Sequence, residues 1–177
     1  MSTDKILIAG FGGQGVLFLG KILANMALQL DKEVSWLPSY GPEMRGGTAN
    51  CSVIISDSPI GSPIVTEPDC LIAMNLPSLL KYEDIVSKGG KIFIDSALIT
   101  EKSKREDVNA YYIPATKIAI DLGYPKLSNM VLLGKIIKEF EDFNLDTVKA
   151  VLETTIPPKK QDLLKANLEA ITAGYNY

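Results

Sequence analysis

The residues whose types and spacing most clearly suit ligand binding are glycines that follow a short apolar segment near the start of the chain. Residues 5–19 are KILIAGFGGQGVLFL, in which Gly10, Gly12 and Gly15 have the G-x-G-x-x-G spacing. We expect Gly10 to permit a sharp turn, Gly12 to let another group approach the backbone, and Gly15 to let a helix pack closely on the strand. The N–H groups and the dipole at the start of that helix favour an anion. The pattern therefore predicts a strand, a tight turn and a helix with an anion site between them.

Three interpretations of this turn stay open: a dinucleotide site, a site for another phosphate-bearing ligand, and a turn that only packs a helix onto a sheet. A dinucleotide site would also have an acidic residue at the end of the second strand, about 20 residues on. That strand is predicted over residues 33–37, and the residues that follow it, PSY, include no carboxylate. Asp31 and Glu33 lie at the wrong end of the strand, which counts against NAD.

Composition restricts the class of protein. The chain has 177 residues, 46% of them hydrophobic and 22% charged, which predicts a single globular domain over residues 1–177. The net charge of −3 argues against a nucleic-acid surface. No apolar run is long enough to span a bilayer, and the first residues lack the features of a signal peptide. We expect a cytoplasmic protein with neither a nucleic-acid nor a membrane partner.

The residues that usually carry out catalysis are scarce. The sequence contains no histidine and only two cysteines, Cys51 and Cys70, which stand in apolar strand-like segments and are predicted to be buried. Two thiols cannot hold an iron–sulfur cluster, and no lysine follows the glycines in the phosphate-loop pattern. We therefore predict no catalytic residue and no metal ligand in this chain, and no activity when it is alone.

Strands and helices are predicted to alternate beyond the turn. Strands are expected at 33–37, 48–56, 69–74, 91–95 and 108–113, with a short extra strand at 64–65. Helices are expected at 14–30, 75–86, 115–122, 128–140, 146–153 and 159–173. Ser128 or Asn129 is expected to cap one of the later helices and Asp146 another. The order predicts the α/β class: a three-layer α/β/α, Rossmann-like domain with a mixed, mostly parallel sheet and a helical C-terminal tail.

The segment between the second and third strands has the most unusual composition. Residues 38–47, PSYGPEMRGG, contain three glycines and two prolines and cannot form a helix. Parallel neighbours need a long crossover, so the third strand should be antiparallel to the second, at or near an edge, with the first strand central. Ligands of such sheets bind at the carboxyl ends of the strands. The glycine turn, this loop, Asn75, Ser96 and Asn129 should all lie at that edge.

Four segments in this order carry a family resemblance: GFGGQGV, SYGPEMRGGTANCSV, PDCLIAMN and KIFIDS. The chain resembles, from residue 5 to about 175, the gamma subunit of the 2-oxoacid:ferredoxin oxidoreductases. These enzymes oxidatively decarboxylate pyruvate, 2-oxoglutarate or branched 2-oxoacids with coenzyme A and ferredoxin. The resemblance implies thiamine-binding and ferredoxin-like partner subunits, which hold thiamine diphosphate, magnesium and iron–sulfur clusters. It also implies that this chain contributes to coenzyme A binding.

Matched motif by motif, the resemblance implies a coenzyme A site lined by Gly12, Gly13, Gln14, Gly15 and Val16. Arg45 would be a second phosphate contact or an interface residue, and Asn129 would be a further contact or a simple helix cap. A partner interface is expected at Ser39, Tyr40, Gly41, Pro42, Glu43, Met44, Gly46 and Gly47, unless this segment is only a well-packed surface loop.

Two other functions stay open at this point. One is a purely structural subunit that clamps the catalytic subunits together and binds no small molecule. The other is a nucleotide-dependent oxidoreductase that works alone, against which the missing ribose carboxylate and the missing histidine both count. In isolation the chain is expected to form a homodimer through its exposed apolar interface.

Overall fold

The computed structural model describes residues 2–39 and 48–177. In these residues the chain forms six strands, six α-helices and one 3₁₀ turn. The strands are β1 (Thr3–Phe11), β2 (Glu33–Ser39), β3 (Thr48–Ser56), β4 (Cys70–Ala73), β5 (Lys91–Asp95) and β6 (Asn109–Ile113). The helices are α1 (Val16–Gln29), α2 (Leu76–Tyr82), α3 (Ala115–Asp121), α4 (Ser128–Glu139), α5 (Leu145–Thr155) and α6 (Gln161–Asn176), and the 3₁₀ turn is Glu83–Ile85.

The strands form one mixed sheet in the order β2-β3-β1-β4-β5-β6. β3 is antiparallel to both of its neighbours, β1 and β2, whereas β1, β4, β5 and β6 are mutually parallel. The prediction of a mixed sheet with β1 central and β3 antiparallel near an edge is therefore confirmed.

Side chains alternate between the two faces of the sheet, because successive residues of a strand point in opposite directions. Along β1, Ile6 and Ile8 pack into the larger core with residues of α1, α3, α4, α5 and α6. Leu7 faces the other side and packs into a smaller core that includes Leu79 of α2 and Val86. The sheet thus lies between a thick layer of helices and a thin one, as the three-layer prediction requires.

The carboxyl end of β1 lies beside the ends of the strands that flank residues 40–47. Phe11, the last residue of β1, is opposite Thr48, the first residue of β3. Ser39, the last residue of β2, is opposite Asn50 of the same strand. The residues that flank positions 40–47 therefore lie at the glycine-turn edge. Pro38 and Ser39, which were predicted to begin the loop, belong to β2, and residues 40–47, including Arg45, are outside the described residues.

Some local predictions were wrong. Residues 64–65 form no strand: they pair with none of the six strands, and Ile64 is 66% exposed rather than packed in the core. Asn144, rather than Asp146, caps α5: its Oδ1 accepts a hydrogen bond of 2.9 Å from the Thr147 N–H. The single helix predicted over residues 75–86 is instead divided into α2, Leu76–Tyr82, and the 3₁₀ turn Glu83–Ile85. No helix in the described ranges is both long and apolar enough to cross a membrane.

α4 and α6 pack against each other at unusually close range. A Cβ added at Gly134 of α4 would overlap the Ile171 carbonyl, and one added at Gly174 of α6 would overlap the Val131 carbonyl. Only glycine lets two helix backbones approach this closely. The contact fixes the position of the two helices whose first residues lie near the glycine turn.

Candidate ligand-binding site at the glycine turn

The glycine turn presents backbone N–H groups at the start of α1. After β1 the chain reverses through a turn in which the Gln14 N–H donates to the Phe11 carbonyl over 3.2 Å. Gly15 precedes the helix with φ of 77°, and α1 has neither a side-chain cap nor an acidic residue in its first turn within the described chain. The first N–H groups of a helix have no acceptor inside it. An anion is therefore favoured at this position by hydrogen bonding and by the helix dipole.

The Gln14 side chain joins the ends of β1 and β4. Its Oε1 accepts from the Phe11 N–H over 2.6 Å, and its Nε2 donates to the Met74 carbonyl over 3.0 Å. A Cβ at Gly10 would lie 2.6 Å from Gln14 Oε1 and 2.9 Å from Met74 Cβ. Gly10 is thus still part of β1 and makes room for this amide, rather than permitting the turn as predicted.

Asn129 of α4 contacts the glycine turn. Its Nδ2 donates to the Gly15 carbonyl over 3.3 Å, and its Oδ1 accepts from the Met130 N–H over 2.9 Å. Asn129 does not cap α4, since Leu127 occupies the cap position. A Cβ at Gly15 would lie 2.9 Å from the Asn129 Cγ and would overlap its Nδ2. Gly15 therefore lets α4 approach the turn, whereas the sequence pattern had predicted close packing of α1 on β1.

A groove of about 290 Å³ opens between the glycine turn and the start of β3. It is lined by Phe11, Gly12, Gly13, Gly15, Val16, Leu17, Phe18 and Ala49. Gly12 and Gly13 are exposed, so their backbone is accessible. The structure thus brings four of the five predicted glycine-turn residues to one groove. The fifth, Gln14, is directed into the sheet, and Asn129 approaches the turn from the side of α4.

The two thiols are poor nucleophiles. Cys51 and Cys70 are both free and buried. Burial raises the pKa of the Cys51 thiol to about 12 and also raises the pKa of Cys70. Among residues 2–39 and 48–177, no three His, Cys, Asp or Glu side chains are grouped to hold a metal ion.

Comparison with known proteins identifies the family. The model of the family described as pyruvate ferredoxin/flavodoxin oxidoreductase matches residues 5–177. The ketoisovalerate oxidoreductase subunit VorA of Methanothermobacter marburgensis is 37% identical over 174 residues, which are 98% of this chain and 36% of that protein. The chain spans about a third of the length of the two VorA relatives that it matches, 36% and 35%.

Two solved structures share the fold. The gamma subunit of a keto/oxoacid ferredoxin oxidoreductase from Geobacter sulfurreducens has a TM-score of 0.86 and 26% identity, with 99% of this chain and 96% of that chain covered. The 2-oxoglutarate:ferredoxin oxidoreductase of Magnetococcus marinus, with 2-oxoglutarate, coenzyme A and succinyl-CoA bound, has a TM-score of 0.90 and 27% identity. There the match covers 99% of this chain and 31% of that one. The chain described here therefore belongs to the pyruvate ferredoxin/flavodoxin oxidoreductase family.

Proposed function

We propose that this chain is the gamma subunit of a multi-subunit 2-oxoacid:ferredoxin oxidoreductase. The complex would convert a 2-oxoacid, coenzyme A and oxidised ferredoxin into acyl-CoA, carbon dioxide and reduced ferredoxin. The family match over residues 5–177 is the observation that supports this most directly. We treat residues 1–177 as one domain with two roles in the complex, which are coenzyme A binding and subunit assembly.

We assign thiamine diphosphate, magnesium and the iron–sulfur clusters to partner subunits, as the resemblance implies. The described part of this chain offers no grouped metal ligands, and its thiols are buried. These groups supply carbanion and electron-transfer chemistry where they are bound. The isolated chain should therefore not reduce ferredoxin or a viologen dye with any 2-oxoacid, and such a reduction would contradict this assignment.

The coenzyme A contact would be a phosphate at the start of α1. The N–H groups of Gly13, Gly15 and Val16 are donors for it, whereas the Gln14 N–H already donates to the Phe11 carbonyl. Arg45 would add a charge-assisted hydrogen bond worth about 1.5 to 3 kcal/mol if partly buried. Support comes from the uncapped start of α1 and from the groove that exposes Gly12 and Gly13.

The partner interface would include Ser39 and residues 40–47, together with the sheet face beside them. Phe11 and Leu37 lie on the thinly covered face of the sheet, and their exposed fractions are 44% and 42%. Exposed apolar side chains that share one face are typical of protein–protein contact sites. Without its partners the chain would use the same surface to form a homodimer.

Kinetics of the reconstituted complex test the coenzyme A role. Gly12→Val places a side chain where the phosphate contact is proposed and should raise the apparent KM for coenzyme A. Arg45→Ala should do the same, and Arg45→Lys should restore only part of the affinity because the planar fork is lost. The KM for the 2-oxoacid should hardly change in any of these variants.

Gly61→Val is the matched control for the glycine variant. A Cβ at Gly61 meets no atom within 4 Å, and Gly61 is exposed. This control should leave the KM for coenzyme A unchanged. If the Gly12 and Arg45 variants also left coenzyme A saturation unchanged, the ligand role would be wrong and only a structural clamp would remain.

A further inference from the structure

The glycine turn has a backbone that is easily deformed. Three of the four residues 12–15 are glycine, and Gly13 and Gly15 have φ of 92° and 77°. Glycine has more backbone freedom than any other residue, so fixing such a turn in one conformation costs conformational entropy. Donors on a turn that is already fixed bind more tightly than donors that a ligand must first order. A site made from these N–H groups therefore needs contacts that hold the turn in place.

The contacts of the turn with β1 and β4 fix only its first half. The Gln14 side chain bonds to the Phe11 N–H and to the Met74 carbonyl, both at the ends of strands. Further along, the Leu19 N–H donates to the Gly15 carbonyl over 2.9 Å, which is the first hydrogen bond of α1. Helix ends fray readily, so this bond by itself leaves the peptide unit between Gly15 and Val16 free to tilt.

Asn129 supplies a second bond to the same carbonyl. Its Nδ2 donates to the Gly15 oxygen over 3.3 Å, and a carbonyl oxygen has two lone pairs, so it can accept from both donors. Asn129 is only 4% exposed, and its Oδ1 accepts from the Met130 N–H. The amide cannot rotate without losing both bonds. α4 is itself held by its close backbone contact with α6 at Gly134.

Holding the Gly15 carbonyl also sets the direction of the next N–H. None of the described peptide bonds is cis, and in a planar trans unit the C=O and the N–H point in opposite directions. The N–H in the same unit as the Gly15 carbonyl is that of Val16, which lines the groove at the glycine turn. As the first N–H of α1 it has no acceptor inside the helix. A side chain of α4 thus orients a donor on α1.

Other roles of Asn129 fit the structure less well. A direct ligand contact would need the side chain in the groove, but Asn129 is not part of the groove lining in the described part of the chain. A helix cap is excluded because Leu127 occupies that position of α4. A side chain that only filled space would not need an amide, since burying an amide costs free energy unless it is hydrogen-bonded.

We propose that Asn129 is a positioning residue, which holds the peptide unit between Gly15 and Val16 so that the Val16 N–H faces the groove. Its amide acts through the backbone and does not touch the ligand. This role rests on the proposed function for the identity of the ligand that uses the N–H. The orientation itself is a property of the chain without a ligand and can be measured separately.

Residual dipolar couplings of the ¹⁵N-labelled full chain, without coenzyme A, test the orientation. Asn129→Leu keeps the size of the side chain but removes its donor, and Asn129→Ala serves in its place if the leucine variant does not fold. In either variant the Val16 N–H should turn by about 30° or more, a misalignment that takes a donor out of the preferred range of hydrogen-bond angles. The couplings of β4 should not change.

Asn144→Leu is the matched control. The Asn144 side chain also bonds to a backbone N–H at a helix start, since its Oδ1 accepts from the Thr147 N–H over 2.9 Å. The control loses this cap and some stability, but it should leave the Val16 N–H in its wild-type direction. Circular dichroism verifies that each variant is folded. The comparison separates loss of positioning from a general loss of stability.

Kinetics of the reconstituted complex separate this proposal from the proposed function. Asn129→Leu should raise the apparent KM for coenzyme A by about threefold to tenfold with kcat unchanged, because one charge-assisted bond is weakened and no chemical step is touched. An unchanged Val16 direction in the Asn129 variants, or the same change in Asn144→Leu, would overturn the positioning role. A changed direction with an unchanged KM would support that role and contradict the phosphate contact at Val16.

Discussion

The amide of Gln14 is the most informative single group to change, because it connects the glycine turn to the neighbouring strand. Gln14→Ala removes the hydrogen bonds to the Phe11 N–H and to the Met74 carbonyl. Each is worth about 1 kcal/mol net, and leaving the Met74 carbonyl unpaired beside a fully buried side chain adds about 1 kcal/mol. We expect a loss of about 3 kcal/mol in the free energy of unfolding. For a chain of this length that lowers Tm by roughly 6 to 12 °C.

Gln14→Glu tests the same contacts with a side chain of almost the same shape. The new carboxylate would still accept from the Phe11 N–H, but its second oxygen would face the Met74 carbonyl oxygen. This repulsion should raise the pKa of the new carboxyl in the folded state, so the variant should become more stable as the pH falls through that pKa. The assay is urea unfolding of wild type and variant between pH 4 and 8 (roughly the range in which such a carboxyl titrates).

Gln161→Glu is the control, because the Gln161 amide makes a comparable bond to the Pro158 carbonyl but is exposed. It should change the stability by no more than about 0.5 kcal/mol at any pH. The account would be refuted if Gln14→Glu were as stable as the wild type at pH 7, or if its stability followed the same pH dependence as the control. Gln14 would then not hold the end of β1 to the end of β4.

Three further predictions concern buried or partly buried residues. Gly174→Ala forces a methyl group into the backbone of α4 and should cost about 3 kcal/mol or more in urea unfolding, whereas Gly61→Ala, in open space, should be near neutral. Burial raises the pKa of Asp4 in the folded protein, so its charge opposes folding at neutral pH, and this penalty disappears as the pH falls through that pKa. Asp4→Asn should therefore raise Tm at pH 7, by an amount that shrinks towards acidic pH; a lower Tm would contradict this. Cys51 and Cys70 should resist iodoacetamide in the native state and react after unfolding, and mass spectrometry of the alkylated protein would detect any native labelling.

The direction of β3 and the burial of β4 could be predicted from the sequence, because both depend on local patterns. A link rich in glycine and proline between two apolar segments cannot hold the helix of a parallel crossover, so β3 had to be antiparallel to β2. The uninterrupted apolar run of β4, CLIA, is typical of a strand buried on both faces, and all four residues are buried. The glycine spacing likewise predicted a turn and a helix after β1, although α1 begins at Val16 rather than at residue 14.

The sequence was not sufficient for the contacts that connect the turn to the rest of the chain. Gln14 bonds to a carbonyl 60 positions away, and Asn129 bonds to one 114 positions away. No local pattern selects such partners, because they depend on how whole elements pack. The same limit explains why Gly15 was assigned to strand packing, although the side chain that needs its space is on α4.

Helix starts were the other weak point, because several residue types serve equally well as caps. Asn144 and Asp146 are both good caps, and only the backbone conformation decides between them.

Hydrogen–deuterium exchange of the assembled complex, with and without saturating coenzyme A, tests the central claim most directly. If a coenzyme A phosphate accepts hydrogen bonds from the N–H groups of Gly13, Gly15 and Val16, exchange in a peptide that covers the glycine turn should slow when coenzyme A is added. A peptide that covers residues 57–66, which contain Gly61 and lie outside the groove at the glycine turn, should exchange at the same rate in the two samples. Unchanged exchange at residues 13–16 in a complex that is saturated with coenzyme A and turning over would contradict the account.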